Sequence, residues 1–259
     1  MDASVLAAKS DLYPKLWNSI TKNLDDYVSI KLSKIARDFI AEFDYPLTIR
    51  DIILTGSIAN YNWNAFSDID LHIIIDFNDI PDEYLSAFKD YFTTKKNLWN
   101  KNHIINIAGH EVEIYIQDLH EPHHSTGVYS ISTRKWLTEP RHKDHDIDYE
   151  TITKKTDEVT DNITAIYDLL ATKDYDKVIF KAEALQNKIK KYRSAGLQDA
   201  GEYSTENLVF KMLRNTGQLQ SLSTLKRQAY DNKMSIDEEI FKYQSMIEEV
   251  KMYLNRNIK

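Results

Sequence analysis

The sequence predicts an α+β protein: a mixed β-sheet domain with flanking helices over residues 1–148, followed by an all-α helical bundle over residues 149–259. Three observations carry this expectation. The run Ile69-Asp70-Leu71-His72-Ile73-Ile74-Ile75 joins β-branched residues to period-two alternation, the mark of a strand. Beyond Tyr149, apolar residues recur at helical spacing. The chain has 259 residues, 42% of them hydrophobic, with only six glycines and five prolines. That is enough apolar surface for a sizeable core, with too few breakers for a loop-dominated chain.

Composition excludes several classes of function. Cysteine is absent, which removes disulfides, zinc–thiolate sites and cysteine nucleophiles. No stretch approaches the roughly 20 apolar residues of a membrane span. Met1-Asp2-Ala3-Ser4 lacks the basic start and apolar run of a signal peptide, so the expectation is a cytoplasmic protein with no membrane partner. The net charge of −7 is uneven: residues 1–150 carry 24 acids and 15 bases, residues 151–259 carry 16 and 18. An acidic first half argues against tight binding of long nucleic acid, which needs a basic footprint.

In chain order, residues 2–22 read as a weakly amphipathic helix with Pro14 as an early start. Over residues 25–43, Val28, Leu32, Ile35, Ala36, Phe39, Ile40 and Phe43 form one apolar stripe, and Pro46 ends that helix. Asp51-Ile52-Ile53-Leu54 reads as a strand ended by Gly56-Ser57, after which Ile58-Ala59-Asn60-Tyr61 opens a short helix. Asn78 or Asp79 caps a helix beginning near Pro81, with Leu85, Phe88, Tyr91, Phe92 and Trp99 on its buried side. A crossover helix implies that the strands it joins run parallel. Residues 104–107 and 111–117 read as a hairpin about Gly109.

His120-Glu121-Pro122-His123-His124 reads as a surface loop, because Pro122 breaks regular structure and no ligand spacing matches a closed metal site. Residues 127–132 form a further short strand, and residues 141–148 are the linker. Four helices then follow. Val159, Ile163, Ile166, Tyr167 and Leu170 mark the first. The second runs from Tyr175 past Tyr192 and is interrupted at Ala195-Gly196 and Gly201. Ser204 caps a third, with Leu208, Met212, Leu219, Leu222 and Leu225 inside. Ser235-Ile236-Asp237-Glu238 is a capping box opening a fourth, with Ile240, Tyr243, Ile247, Val250 and Leu254 inside.

The chemistry concentrates between Leu54 and Ile75. Side chains on a strand alternate, so Asp68, Asp70 and His72 share one face while Ile69, Leu71 and Ile73 enter a core. Two carboxylates on one face of an apolar strand repel each other and are costly to desolvate. A divalent cation removes that cost, and Mg²⁺ takes hard oxygen ligands while keeping sites open for phosphates. Upstream, Gly56 permits close backbone approach, Ser57 adds a hydroxyl donor, and a helix start offers free N–H groups to a phosphate.

Gly56 and Ser57, a spacer from Ile58 to Ser67, then Asp68, Ile69, Asp70 and Leu71 resemble the signature of the DNA polymerase beta-like nucleotidyltransferase superfamily. Thr55 stands where that signature usually has an apolar residue. The third acid of the family matches Glu113 in Glu111-Val112-Glu113-Ile114-Tyr115-Ile116, with Glu111 on the same strand face as the alternative. The resemblance covers residues 49–117. It implies a nucleotidyltransferase domain followed by a helical domain.

The resemblance further implies that Asp68, Asp70 and Glu113 hold two Mg²⁺ (or Mn²⁺) ions and that Gly56 and Ser57 hold the β and γ phosphates of a nucleoside triphosphate, ATP first among candidates. Pyrophosphate then leaves as a nucleoside monophosphate passes to an acceptor hydroxyl. Arg134, Lys135 and Lys211 are candidates for the triphosphate; Arg134 and Lys135 equally read as exposed, and Lys211 with Arg214 as a solvated helix face. His72 reads equally as a substrate contact or a satisfied strand histidine. The expected acceptor is a small molecule or a protein, with a short RNA end as a further class. The alternative function is a catalytically silent nucleotide-binding or partner-binding module of the same fold.

Overall fold

The computed structural model describes residues 3–123, 125–142, 146–236 and 238–257. Among these there are seven α-helices and one six-stranded mixed sheet. No helix among them is long and apolar enough to cross a membrane. The chain divides into two compact units, one up to Ile147 and one from Asp148 onward.

The first unit is built on the sheet. Its strands are β1 (Ile49–Thr55), β2 (Ile69–Ile75), β3 (Asn106–Ile107), β4 (His110–Asp118), β5 (Val128–Ser130) and β6 (Lys135–Thr138), in the order β3-β4-β2-β1-β5-β6. The β2–β4 pair is parallel and every other pair is antiparallel. A parallel pair needs a crossover, here supplied by helix α2 (Asp82–Asn102).

Period two on the strands sorts the residues by face. Ile52 and Leu54 of β1, Ile69, Leu71, Ile73 and Ile75 of β2, Val112 and Ile114 of β4 and Tyr129 of β5 enter one core. Helix α1 (Asp26–Ile40) adds Val28, Leu32, Ala36 and Phe39, and α2 adds Phe92 and Trp99. Ile69, Leu71 and Ile73 are fully buried; burying one such side chain contributes about 1.5–3 kcal/mol. The other face keeps Asp70, His72, Glu113 and Tyr115 half-buried. Beyond its short pairing with β3, β4 would expose backbone along its outer edge. Asn100 of α2 covers part of it, accepting from the Ile114 N–H (3.1 Å) and donating to the Ile114 carbonyl (3.2 Å).

Several local expectations are corrected. Residues 3–24 form a 3₁₀ turn (Ala3–Leu6), a turn at Pro14 and an isolated bridge between Trp17 and Leu24 in place of a helix. Leu12, Leu16 and Trp17 dock singly into the sheet core, and that burial outweighs weak helical periodicity. Helix α1, capped by Asp25 on the Tyr27 and Val28 N–H groups, ends at Ile40, well before Pro46; the Glu42 and Phe43 N–H groups turn back to Phe39 and Ile40. At the start of α2, Pro81 occupies the cap position without a side-chain bond, and Asp76 caps the preceding 3₁₀ turn Phe77–Asp79.

Among its described residues the second unit holds helices and no strand: α3 (Tyr149–Leu170), α4 (Tyr175–Asp199), α5 (Thr205–Asn215), α6 (Gln218–Met234) and α7 (Glu238–Asn257). Asp148, Asp174 and Ser204 cap α3, α4 and α5 through their side chains. Helices α3 to α6 pack on one another around Ile152, Ile166, Val178, Leu208, Met212, Leu222 and Leu225.

Helix α4 runs straight through Ala195-Gly196, contrary to the sequence reading. Gly196 is buried there, and a Cβ on it would lie 2.5 Å from Glu206 Cβ and 2.7 Å from Ser204 Oγ. A helical glycine is tolerated where a neighbouring chain must approach closely. The expected third helix is two helices, α5 and α6, separated at Gly217 in the left-handed conformation (φ 74°). On α7, Tyr243, Ile247 and Val250 are exposed, so the expected fourth member of the core contributes none of them to it. Asp237 of the capping box and the side chains of Ile240 and Leu254 lie outside the described residues.

Candidate functional site

The site lies where β1 ends and β2 and β4 begin. Thr55, the last residue of β1, pairs with Asp70, and Asp70 pairs on its other side with Glu113. The parallel register therefore sets Glu113 level with Asp70 on the open face, while Glu111 pairs with Asn106 in the hairpin. Asp68 precedes the first residue of β2 and is half-buried.

Gly56 leaves β1 with φ 74° and ψ −161°, a region open essentially to glycine alone. A Cβ there would stand 1.8 Å from Asp70 Oδ2. The missing side chain at Gly56 is the space in which the Asp70 carboxylate sits.

After Gly56 the chain makes only one 3₁₀ turn, Ser57–Ala59, in place of the short helix expected over residues 58–61. Asn60 is extended, and its side-chain oxygen takes the Tyr61 N–H (2.8 Å), which would otherwise prolong a helix. The Ser57 hydroxyl donates to Ser67 Oγ (2.8 Å), and Ser67 Oγ accepts from the Asn64 N–H (2.9 Å). The spacer is thereby closed into a buckle, with Ile58, Ala59, Asn60, Tyr61, Asn64 and Ser67 buried. The Ser57 hydroxyl proton is thereby committed to Ser67, so Ser57 is not the free hydroxyl donor that the sequence offers.

Tyr115 and Gln117 complete the face; period two from Glu113 would have found both. The Tyr115 hydroxyl donates to Glu113 Oε2 (2.6 Å). Burial, then the Glu113 hydrogen bond and the charges of Glu113, Asp70 and Asp68, push its phenol above the usual range. It therefore remains a donor that orients Glu113. His72 Nδ1 meets Gln117 Oε1 at 2.7 Å. Gln117 Nε2 donates to the Glu121 carbonyl (3.3 Å) and approaches His123 Nδ1 (3.2 Å). That orientation leaves His72 Nδ1 as the donor and its Nε2 as an acceptor. Burial lowers the His72 pKa against the bond to Gln117.

Thr55, Gly56, Asp70, His72, Tyr115 and Gln117 line a cleft of 380 Å³, walled by Glu121, Pro122, His123 and Ser125. The segment read as a surface loop is thus a wall of the site. Its His120 faces Asn78 (3.0 Å) and Asp76 (3.5 Å), and His124 lies outside the described residues. Sequence reasoning missed this wall, because nothing in the order of residues ties a loop to Gln117.

The structure brings together Gly56, Asp70 and Glu113; the charge of Asp68 acts on Tyr115 beside them, and Ser57 bonds to Ser67, the residue before Asp68. The structure does not bring Arg134 and Lys135 to them. β5 runs antiparallel to β1, so Val128 lies at the site end and the turn into β6 lies toward Ile52. Arg134 sits in that turn (φ 59°) and pairs with Asp26 of α1; Lys135 opens β6, the outermost strand. Lys211 belongs to α5, in the other unit.

The donors suit a hard divalent cation, since Asp68, Asp70 and Glu113 offer only carboxylate oxygens and Gly56 leaves room at Asp70. Among the described residues no group of three or more acids or histidines stands ready-made around one ion position; one oxygen of Glu113 is turned to Tyr115. A six-stranded mixed α/β sheet with an acidic cleft beside a glycine at a strand end is the class that fold and site define. No family model matches the chain, and neither a curated protein nor a solved structure matches it.

Proposed function

We propose that this chain is a metal-dependent nucleotidyltransferase of the polymerase beta-like kind, moving a nucleoside monophosphate from a nucleoside triphosphate to an acceptor hydroxyl. The observation that carries the reading is the register of Asp70 with Glu113 beside Gly56. The nucleotidyltransferase fold of the sheet unit and the helical-bundle character of the second unit belong to this reading.

Asp68 and Asp70, with Glu113, would hold Mg²⁺ or Mn²⁺. The ions, when bound, would neutralise the triphosphate and stabilise charge on the attacking and leaving oxygens. Gly56 keeps side-chain bulk away from the phosphates, and Ser57 would donate to one only by turning its hydroxyl away from Ser67. The acceptor oxygen forms a bond to the α-phosphorus, the bond to the β-phosphate oxygen breaks, and pyrophosphate leaves with the electron pair. Glu113 takes the hydroxyl proton on the oxygen that Tyr115 does not engage. The acceptor is a small molecule or a protein. ATP is the first nucleotide to try.

One observation favours a second reading, a silent nucleotide-binding module: Glu113 Oε2 is occupied by the Tyr115 hydroxyl. Incubation with each nucleoside triphosphate and Mg²⁺ or Mn²⁺, with mass spectrometry of products, separates the two. Transfer predicts pyrophosphate and a nucleotidylated product, with triphosphate binding lost in excess chelator. Binding unchanged in chelator, with no pyrophosphate, overturns it.

A further inference from the structure

A second cleft of 480 Å³ adjoins the first and shares Tyr115, Ile116 and Glu121 with it. Its other wall is α2, which contributes the exposed Lys89 and Thr93, the half-buried Lys96 and, at its floor, the buried Phe92. Lys96 Nζ lies 4.7 Å from the centre of the Tyr115 ring, and Lys89 Nζ lies 5.6 Å from that of Phe77. Among the described residues neither ammonium pairs with a carboxylate. Asp118, on the same rim, turns one oxygen to the Phe77 N–H (3.0 Å). Tyr115 lines both clefts; its hydroxyl donates to Glu113, and Lys96 lies over its ring.

We propose that this second cleft binds the phosphate group of a phosphorylated alcohol, with Lys89 and Lys96 as its cationic ligands, and that this alcohol is the acceptor. The proposal rests on the nucleotidyl-transfer reading for the fate of the hydroxyl, but the anion site itself does not. Two ammoniums suit a phosphate monoester, which carries about −1.5 to −2 charge at neutral pH. Their fixing over ring faces removes part of the ordering cost of binding. An acceptor phosphate held there directs its hydroxyl past Tyr115 toward Glu113 and Asp70. This gives an acidic unit a local means of holding an anionic acceptor without a long basic track.

The test titrates the full chain calorimetrically with glycerol 3-phosphate and with glycerol, in the absence of nucleotide and metal. Glycerol 3-phosphate should bind and glycerol should not. Lys96→Met and Lys89→Met, which keep the aliphatic stems, should each weaken that binding about tenfold and together abolish it, with the thermal midpoint and the affinity for ATP with Mg²⁺ unchanged. No binding of glycerol 3-phosphate, or equal binding by the double variant, overturns the site. Lysine-dependent binding with no pyrophosphate release from ATP leaves the anion site standing and removes nucleotidyl transfer. Pyrophosphate release with glycerol as readily as with glycerol 3-phosphate, unaffected in the double variant, does the reverse.

Discussion

Gly56 and Asp70 occupy each other's space: the carboxylate of Asp70 reaches to within 1.8 Å of where a Gly56 Cβ would be. Gly56→Ala therefore meets two costs at once. The φ 74°, ψ −161° backbone opposes any side chain by about 1–3 kcal/mol, and Asp70 must move out of the position it holds against Thr55 and Glu113. Chemical denaturation should register a loss at least that large. Ser57→Ala, one residue on, removes only the hydroxyl bond to Ser67 and should cost about 1 kcal/mol. Equal stability of the two variants would refute this account of Gly56.

Asp68→Asn and Asp70→Asn remove charge at nearly constant shape from a face that also holds Glu113. Relief of carboxylate repulsion should leave the melting temperature of the metal-free protein unchanged or raised. Pyrophosphate release should fall at least about 10²-fold, because charge placed where the transition state needs it is the largest single contribution to such catalysis. A variant with near-normal turnover removes that residue from the mechanism.

The parallel register distinguishes the two glutamates of β4. Glu113 stands beside Asp70 and accepts from Tyr115, whereas Glu111 pairs with Asn106 at the hairpin. Glu113→Gln should abolish transfer while triphosphate binding survives, and Glu111→Gln should leave most activity. The reverse pattern in steady-state assays would mean that the acids act in a register two residues displaced from this one.

Gly196→Ala sets helix propensity against packing in the second unit. Alanine gains about 1 kcal/mol over glycine in a helix interior. The added methyl, however, would lie 2.5 Å from Glu206 Cβ and 2.7 Å from Ser204 Oγ, the capping residue of α5, and overpacking costs about 1–3 kcal/mol. Loss of stability is the expected net result by denaturant unfolding. A gain would show that α5 can withdraw at no cost.

Much of the fold was legible because local rules apply where one face of an element is buried. Period two placed Ile69, Leu71 and Ile73 in the core and Asp70 and His72 on the open face. Helical spacing found the buried stripe of α1, and a helix between two strands implied the parallel β2–β4 pair. The rules failed where another part of the chain overrode them. Leu16 and Trp17 leave their helical pattern for places in the sheet core, Gly196 is retained by the approach of α5, and Gly217 ends a helix that apolar spacing alone carries onward.

The sequence by itself determined the candidate acids, their spacing and the glycine before them, because these are local relations along a strand and its preceding turn. Tertiary structure alone decided which glutamate stands level with Asp70, since that depends on strand register. It also decided that Arg134 lies toward the far end of the sheet, because the antiparallel β5 carries the chain away from Gly56. The bonds from Gln117 to His72 and the Glu121 carbonyl, and from Tyr115 to Glu113, likewise join residues whose meeting depends on backbone geometry. Side chains from separate segments become neighbours only when burial of the hydrophobic face selects one packing of the strands.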